Sequence, residues 1–543
     1  MMIKVCFFGG QTKTGVLVHH AIVMTESQYG AKFTWLAACL VSLYGLSSWI
    51  VVNGLWVELP LLVNILPEGW NLPAYLIIII QIANVGPLVY VPLTKFCHSK
   101  TNRFCSHLLQ PPERIANYVI LTVGLLSCIL LAQFWKEVIH IPSLGTGYHS
   151  IGLFILSLLA SIVDCTSSVT YITYLNGMPQ LYVGALHFGE AFSDLVPSVL
   201  ALIQGVGPEP ECINATVNGT FHTVAFFPPP RFSISTFIYL LCTVLVFSLI
   251  AFLLLDCSPF GLGKAVHEHY KRNHVKVTSS DKENSHLDKN ERITENTESD
   301  GVVISSCGDG STQFYNGVDV TDNSGPSTFL SCLLIGYISA LSFGFLPAIQ
   351  SYSCAAYSAL TYHLAVTLSG SFSAIFTVLT TFLVNHYSKR ANLSTLLKYQ
   401  SNSDPAYDGD YTKHEENDVN FHNGMVVISN VSYIRSLHRK WIGIAFVSSL
   451  PAAYVIYLAS SSPNPPLLGG FGSASAILAW IAVRCLFSSL RTWIWMSLSS
   501  HSKRPMKLRL AGLSTQFGAA FGAILSFLLV VYFQLFKNKI PCL

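Results

Sequence analysis

Apolar residues in this chain run in blocks of about twenty, the length that crosses a hydrocarbon layer about 30 Å thick. Eleven blocks qualify, at 35–62, 72–93, 116–135, 150–173, 183–204, 234–255, 328–350, 359–385, 441–459, 472–497 and 510–535. The first is long: at 1.5 Å per residue it would reach roughly 40 Å, so it must tilt or protrude. Residues 256–327, with "TSSDKENSHLDKNERITENTESD", are polar and poor in aromatics and read as a disordered linker. The pattern predicts an all-α polytopic membrane protein with eleven transmembrane helices in a 6+5 two-bundle arrangement. Its parts are an N-terminal extension (1–34), a first bundle (35–255), the linker (256–327), a second bundle (328–535) with a polar loop at 386–440, and a tail (536–543). Two helical bundles joined by a long loop are a transporter layout, with a substrate site expected near the midplane between them.

Composition agrees. Of 543 residues, 51% are hydrophobic and 11% charged, against about a quarter charged in soluble proteins. The net charge of +3 says little, but its distribution fixes an orientation. With the N-terminus cytosolic, the inner loops hold Lys95, Lys100, Arg103, Arg114, Lys503, Arg504, Lys507 and Arg509. The outer loops and tail hold only Lys136, Arg231, Lys537 and Lys539. This follows the positive-inside rule and puts the C-terminus outside. Two glycosylation sequons, Asn214 and Asn218 in "NATVNGT", then face outward, while Asn392 and Asn430 fall inside.

The short apolar piece "GVLVHHAIVM" near the start holds two histidines and lacks a clean cleavage site, so it reads as cytosolic extension, with Met24 an alternative start. Most of the fourteen cysteines lie in or beside apolar segments without C-x-x-C spacing, so no metal site is expected. Cys212 and Cys354 both fall in outer loops, and a disulfide between them is expected. No nucleophile–base pair, phosphate loop or metal constellation stands at recognisable spacing, which argues against an enzyme. No cofactor and no nucleic-acid partner are expected, and the chain is expected to be monomeric.

Polar and ionisable residues inside the bilayer are the functional candidates, weighed against a role as hydrogen-bonding glue between helices. The first span sets Trp49, Asn53, Trp56 and Pro60 on one face, with Glu58 in its outer third, where it is expected to reach an aqueous vestibule as a gating or proton-sensing group. Trp56 and Trp70 equally suit an interfacial aromatic belt. The second span offers Gln81 and Asn84, and the fourth, in "VDCTSSVT", Asp164, Thr166 and Ser168. In the fifth, "ALHFGEAFSDLVP" puts His187, Glu190 and Asp194 on one face, and two acids there need a cation, a proton or a base. The tenth, "VRCLFSSLR", supplies Arg484, Ser488 and Arg491 on one face, and Arg484 is expected to pair with Asp194 across the bundles. Gln350, Tyr352, Tyr362 and His363 are expected at the outer mouth of the second bundle. Gln516 stands beside "GAAFG", a small-residue packing element.

The pieces "SWIVVNGLWVELPLL", "LPEGW", "IQIANVGPL", "HSIGLFILSLLASIVDCTSSVT", "FGEAFSDLVPSVLALIQGVG", "LPAIQSYSCAAY", "YHLAVTLS" and "TQFGAAFGA" together resemble the animal riboflavin transporters, solute carrier family 52. The resemblance implies plasma-membrane uptake of riboflavin (vitamin B2) by eleven helices, without sodium or ATP and favoured by acid pH in some members. It also implies a fold like the equilibrative nucleoside transporters, a variant of the major facilitator arrangement. The second bundle departs from the family pattern. "SALSFGFLPAIQ" has Ser339 and Phe343 in place of two asparagines, and "SGSFSA" stands where an "ANP" element is usual. Arg491 replaces a lysine, Asn464 replaces an outer cysteine, and Asp194 and Arg484 stand at normally uncharged positions.

Riboflavin is neutral at pH 7, with a flat aromatic head bearing carbonyls and an imide and a ribityl chain of hydroxyls. An aromatic wall, amides and hydroxyls would recognise it. Trp49, Asn53, Trp56, Gln81, Asn84, Asp164, Thr166, Ser168, Glu190, Gln350, Tyr352, His363 and Gln516 are the expected substrate-binding set, with Glu58, His187 and Glu190 as gating or proton-sensing groups. The alternatives are a carrier of another planar polar metabolite, such as a nucleoside, and a non-transporting receptor of the same fold.

Overall fold

The structure is a computed structural model. It describes residues 34–98, 112–140, 147–175, 178–207, 211–217, 220–258, 261–268, 327–401, 415–467, 469–499 and 504–539. Among the described residues, ten helices are long and apolar enough to cross a membrane, and a bent pair, taken as one span, brings the number to eleven. We label them α1 (Trp35–Gly45 and Ile50–Leu62), α2 (Gly69–Thr94), α3 (Glu113–Phe134), α4 (Ile151–Tyr174), α5 (Leu181–Gln204), α6 (Ile234–Cys257), α7 (Thr328–Ala348), α8 (Ala359–Val384), α9 (Ser436–Ser460), α10 (Gly470–Leu498) and α11 (Leu510–Tyr532).

Hydroxyl caps mark several starts, as they must where backbone N–H groups lack intrahelical partners. Thr34, Ser233 and Ser327 accept from Ala37, Thr236 and Leu330. The first span accommodates its length by breaking: its two halves meet at 49° across residues 46–49. Two segments of α7 and α11, Ala340–Phe345 and Leu528–Tyr532, are π-helical.

Within the first half α1 packs on α5 and α6, and α3 on α4 and α6; within the second, α7 packs on α11 and α8 on α10. The halves meet where α5 and α1 lie on α8, and α2 on α11. Close helix approach in lipid needs small residues. Gly518 and Gly522 of "GAAFG" provide it, since a Cβ on either would strike the backbone of Gly336 or Ala340 on α7.

Outside the membrane, β1 (Ile139–His140) pairs with β2 (Tyr148–His149), and β3 (Glu211–Val217) pairs antiparallel with β4 (Thr220–Phe226). The interior comprises one aromatic cluster around Tyr44, Tyr171, Tyr174 and Phe252 and a larger cluster reaching across both halves.

Three expectations need correction. The linker does not begin at 256: residues 261–268 fold back on α6, where Leu262 N–H donates to Leu255 O (2.7 Å) and Leu262 and Val266 are buried. The polar loop 386–440 is largely helical, because α8 continues to Ser401 and the helix of α9 begins at Glu415. "SKRANLSTLLKYQ" carries neither proline nor glycine to stop it. Cys354 is a buried free thiol, while Cys212 is disulfide-bonded, so these two are not partners. The expected outer-loop position of Cys354 fails because "QSYSC" turns inward against Trp480 instead of facing water. Residues 1–33, 269–326 and 540–543 lie outside the described residues, as does Asn218; Asn214 lies on β3 opposite Thr223.

Candidate functional site

The break in α1 organises the polar residues of the first half. Where a helix restarts inside a membrane, its first N–H groups need acceptors that lipid cannot give. Asp164 of α4 provides one: its Oδ2 accepts from Val52 N (3.3 Å), next to the positive end of the restarted helix. Around it Ser48 Oγ meets Ser167 Oγ (3.0 Å), Ser47 Oγ meets Tyr171 OH (2.9 Å), and Trp49 Nε1 donates to Ser168 Oγ (3.1 Å). One turn on, Asn53 Nδ2 donates to Ser193 Oγ of α5 (3.3 Å). The structure thus brings Trp49, Asn53, Asp164 and Ser168 together. Asp164 is buried and engaged as a helix cap rather than open to a ligand. Trp49, Asn53, Trp56 and Ser168 are only half-buried and keep a face for one.

Asn84 Nδ2 lies 3.4 Å from Gln81 Oε1 at a break in α2, both side chains half-buried. Thr166 Oγ1 is turned back onto Ile162 O (2.6 Å) and pressed against Gly86. On α5, His187 Nδ1 and Glu190 Oε2 are 2.8 Å apart, with side chains 54% and 23% exposed. Asp194 Oδ2 lies 3.2 Å from Arg484 Nη2, joining α5 to α10 across the halves, and Gly370 of α8 packs against the same carboxylate.

Other candidates stand elsewhere than expected. Glu58 does not reach a vestibule: its residue is 1% exposed, packed beside Gln204, on the half of α1 (50–62) that α4, α5, α6 and α8 surround. Gln350, Tyr352, Tyr362 and His363 are buried rather than lining an open mouth. Tyr352 OH donates to Asn71 Oδ1 (2.5 Å), its ring meets Trp70 edge-on, and Ser351 Oγ donates to Trp70 O (2.9 Å). The turn 68–71 and the segment 350–354 therefore seal one end of the junction between the halves. Glu68 serves that turn, accepting from Ser150 N (2.8 Å) and Ser150 Oγ (2.7 Å) at the start of α4. Gln516 is exposed on the side of α11 away from the glycines that pack on α7.

Sequence reasoning missed Ser193, Asn71 and Ser351, single neutral residues with no signal beyond their neighbours. It also missed a node at one membrane edge, where Asp256 of α6 binds Arg114, Tyr118 OH (2.8 Å) and Tyr174 OH (3.2 Å). That node was detectable as an acid at a helix end. It ties α3, α4 and α6 and touches no residue of the second half among the described ones. The described residues hold no cluster of three or more His, Cys, Asp or Glu side chains able to bind a metal.

A helical membrane protein of ten or eleven spans, with polar groups gathered at the centre of two packed halves, is by class a polytopic solute carrier. Residues 33–401 and 423–538 match the family described as "Solute carrier family 52, riboflavin transporter", and the chain belongs to that family. It is 31% identical over 524 residues to "Riboflavin transporter 2" of Salmo salar, covering 94% of this chain and 98% of that one. It is 28% identical over 545 residues to "Solute carrier family 52, riboflavin transporter, member 3" of Homo sapiens, covering 94% and 98%. Among solved structures, the nucleoside transporter NupG matches with a TM-score of 0.41 at 10% identity, covering 92% of this chain and 90% of that one. The D-xylose-proton symporter matches with a TM-score of 0.39 at 11% identity, covering 92% and 97%.

Proposed function

We propose that this chain takes up riboflavin across the plasma membrane by alternating access, as a monomer and without sodium. The family match over nearly the whole chain carries the reading. The half-buried Trp49, Asn53, Trp56 and Ser168 beside the α1 break, with Gln81 and Asn84 on α2, supply the aromatic, amide and hydroxyl groups that a flavin head and a ribityl chain require. The halves rock about this centre: the junction of 68–71 with 350–354 closes one end while the other opens. The distribution of basic residues supports a cytosolic N-terminus, an extracellular C-terminus and an extracellular, glycosylated β3–β4 hairpin. The partly exposed His187–Glu190 pair is the group through which proton concentration would act.

The test is saturable uptake of labelled riboflavin by cells expressing the full chain, normalised to surface protein. Asn53→Ala, which removes one donor from the centre, should lower uptake efficiency about fivefold. Competition by flavin analogues but not by nucleosides is expected; the reverse order would assign another planar metabolite. Binding without counterflow in liposomes would make the chain a receptor. Uptake that stays flat between about pH 5.5 and 8 would remove the proton-sensing role of His187 and Glu190.

A further inference from the structure

Ionised side chains at membrane depth are expensive and are retained with partners. Arg484 faces a carboxylate, as does Arg114 at the membrane edge. Arg491, two turns along α10 from Arg484, has neither an ion pair nor a hydrogen-bond partner among the described residues; its guanidinium carbon lies 4.6 Å from the ring centroid of Phe343. Helical side chains lean toward their own N-terminus. On the antiparallel α7 and α10, Phe343 and Arg491 therefore lean toward each other and meet within the membrane. Arg484, Ser488 and Arg491 share one face of α10, and Arg484 on that face reaches Asp194 in the other half. The face thus looks into the space between the halves, where the candidate centre lies. Arg491 is half-buried and Phe343 is 37% exposed.

The backbone under Phe343 is itself unusual. Phe343 belongs to the π-helical segment Ala340–Phe345, and π-bulges gather at functional sites. Gly344 in the same segment is pinned against Gly522 and Ala523 of α11, which fixes the direction in which Phe343 points. A guanidinium stacked on a ring keeps its N–H edge available, and that edge presents two parallel donors.

We propose that Arg491, seated on Phe343, is a substrate-recognition residue that reads the paired acceptors on the edge of a planar heteroaromatic ligand. This rests on the riboflavin reading: in a flavin head each carbonyl oxygen on the pyrimidine ring has a ring nitrogen acceptor beside it, a pair that a guanidinium fork meets with two fixed donors where the lysine usual in the family offers a point charge. No negative charge on the ligand is needed; the cation supplies directed donors in a site without bulk water.

The experiment compares uptake of riboflavin with inhibition by 2-thio- and 4-thioriboflavin, in which sulfur replaces one carbonyl oxygen and accepts hydrogen bonds poorly. Cells express the full chain, Arg491→Gln or Arg491→Lys, and uptake is normalised to surface protein. The wild-type chain should prefer riboflavin to at least one thio analogue by about tenfold. Arg491→Gln should raise the riboflavin KM about tenfold and bring that preference close to one. A packing role alone would lower both ligands together and leave the ratio. If Arg491→Gln fails to reach the surface, Arg491→Lys, which restores the residue usual at this position in the family and keeps the charge, is expected to weaken the preference about threefold, and an unchanged preference overturns the assignment. Riboflavin uptake by the wild type with an unchanged ratio in the variant overturns the assignment of Arg491 alone, as does a wild type that does not discriminate. No riboflavin uptake by the wild type overturns the functional reading and this assignment together.

Discussion

The two halves meet in two unlike ways. At the end sealed by residues 68–71 and 350–354 the contacts between the halves are neutral: Tyr352 OH on Asn71, Ser351 on the carbonyl of Trp70, and the rings of Trp70, Tyr352 and Phe536 packed together. At the level of α5 and α10, beside the packing of α5 on α8, the charged contact among the described residues is the ion pair Asp194–Arg484, with side chains 23% and 28% exposed. A neutral junction sealed by hydroxyls and rings loses little when it opens, because water replaces each hydrogen bond that breaks. Separating two charges in a low-dielectric site costs more, and cost concentrated in one pair holds the halves in register. In the proposed alternating-access cycle, opening would fall to the neutral end and alignment to the charged pair.

The largest effect should come from orphaning one charge. Arg484→Gln leaves Asp194 beside Gly370 and Ser198 without its cation. After allowance for partial exposure, the loss should be about 2 kcal/mol, read as a lower unfolding temperature of the detergent-solubilised protein. Removing both charges, in Asp194→Asn with Arg484→Gln, should recover most of it, and exchanging them should recover more than either single change. Additive single and double effects would mean that the pair does not couple the halves.

The charged pair was legible in the sequence and the neutral seal was not, for a physical reason. Acids and bases in apolar runs are rare enough to be matched by face and depth, and Asp194 and Arg484 follow from helical periodicity alone. The span boundaries were legible for the same reason, since apolar block length sets them. The seal rests on Asn71, Trp70 and Ser351, whose meeting depends on where two turns far apart in sequence land. The break in α1 was half legible: a block of about 40 Å had to be accommodated, but tilt and fracture look alike until Ser47, Ser48 and Asp164 are seen supplying the polar partners. Glu58 shows the limit most clearly, because depth along a helix does not reveal which neighbours cover it. The departure of "SALSFGF" from the family pattern coincides with the π-helical segment of α7, a change of helix type that residue identity alone does not disclose.

An intermediate effect should come from Gly370, where α8 touches the ion pair from the side. A Cβ there would lie 3.0 Å from both Asp194 Oδ1 and Ser198 Oγ, so the carboxylate must move by a few tenths of an ångström. Gly370→Ala should lower stability by about 1 kcal/mol, after any gain in helix propensity is set against the strain. In the Arg484→Gln background the alanine should cost less, because the carboxylate is no longer held to a cation. An equal cost in both backgrounds would show that Gly370 matters for helix packing and not for the pair.

The smallest effect should come from the neutral seal, and it should be one of population rather than stability. Tyr352→Phe deletes the hydroxyl that donates to Asn71 and leaves the ring against Trp70 and Phe536. One neutral hydrogen bond is worth about 1 kcal/mol, or about a fivefold shift between closed and open forms. That shift would be read as faster modification of a cysteine introduced at Asn71 by a membrane-impermeant thiol reagent, in Asn71→Cys with and without Tyr352→Phe. Because Asn71→Cys itself removes the acceptor, the same pair should also be compared with the reporter moved to Gly69, where a Cβ would meet only Val63 O at 3.9 Å and the strain of a side chain at φ +54° is common to both members of the pair. Faster labelling at position 69 with Tyr352→Phe, with the unfolding temperature unchanged, is the expected outcome. A falling unfolding temperature without faster labelling would make Tyr352 part of the folding core, and the neutral junction would then hold the halves as firmly as the charged one.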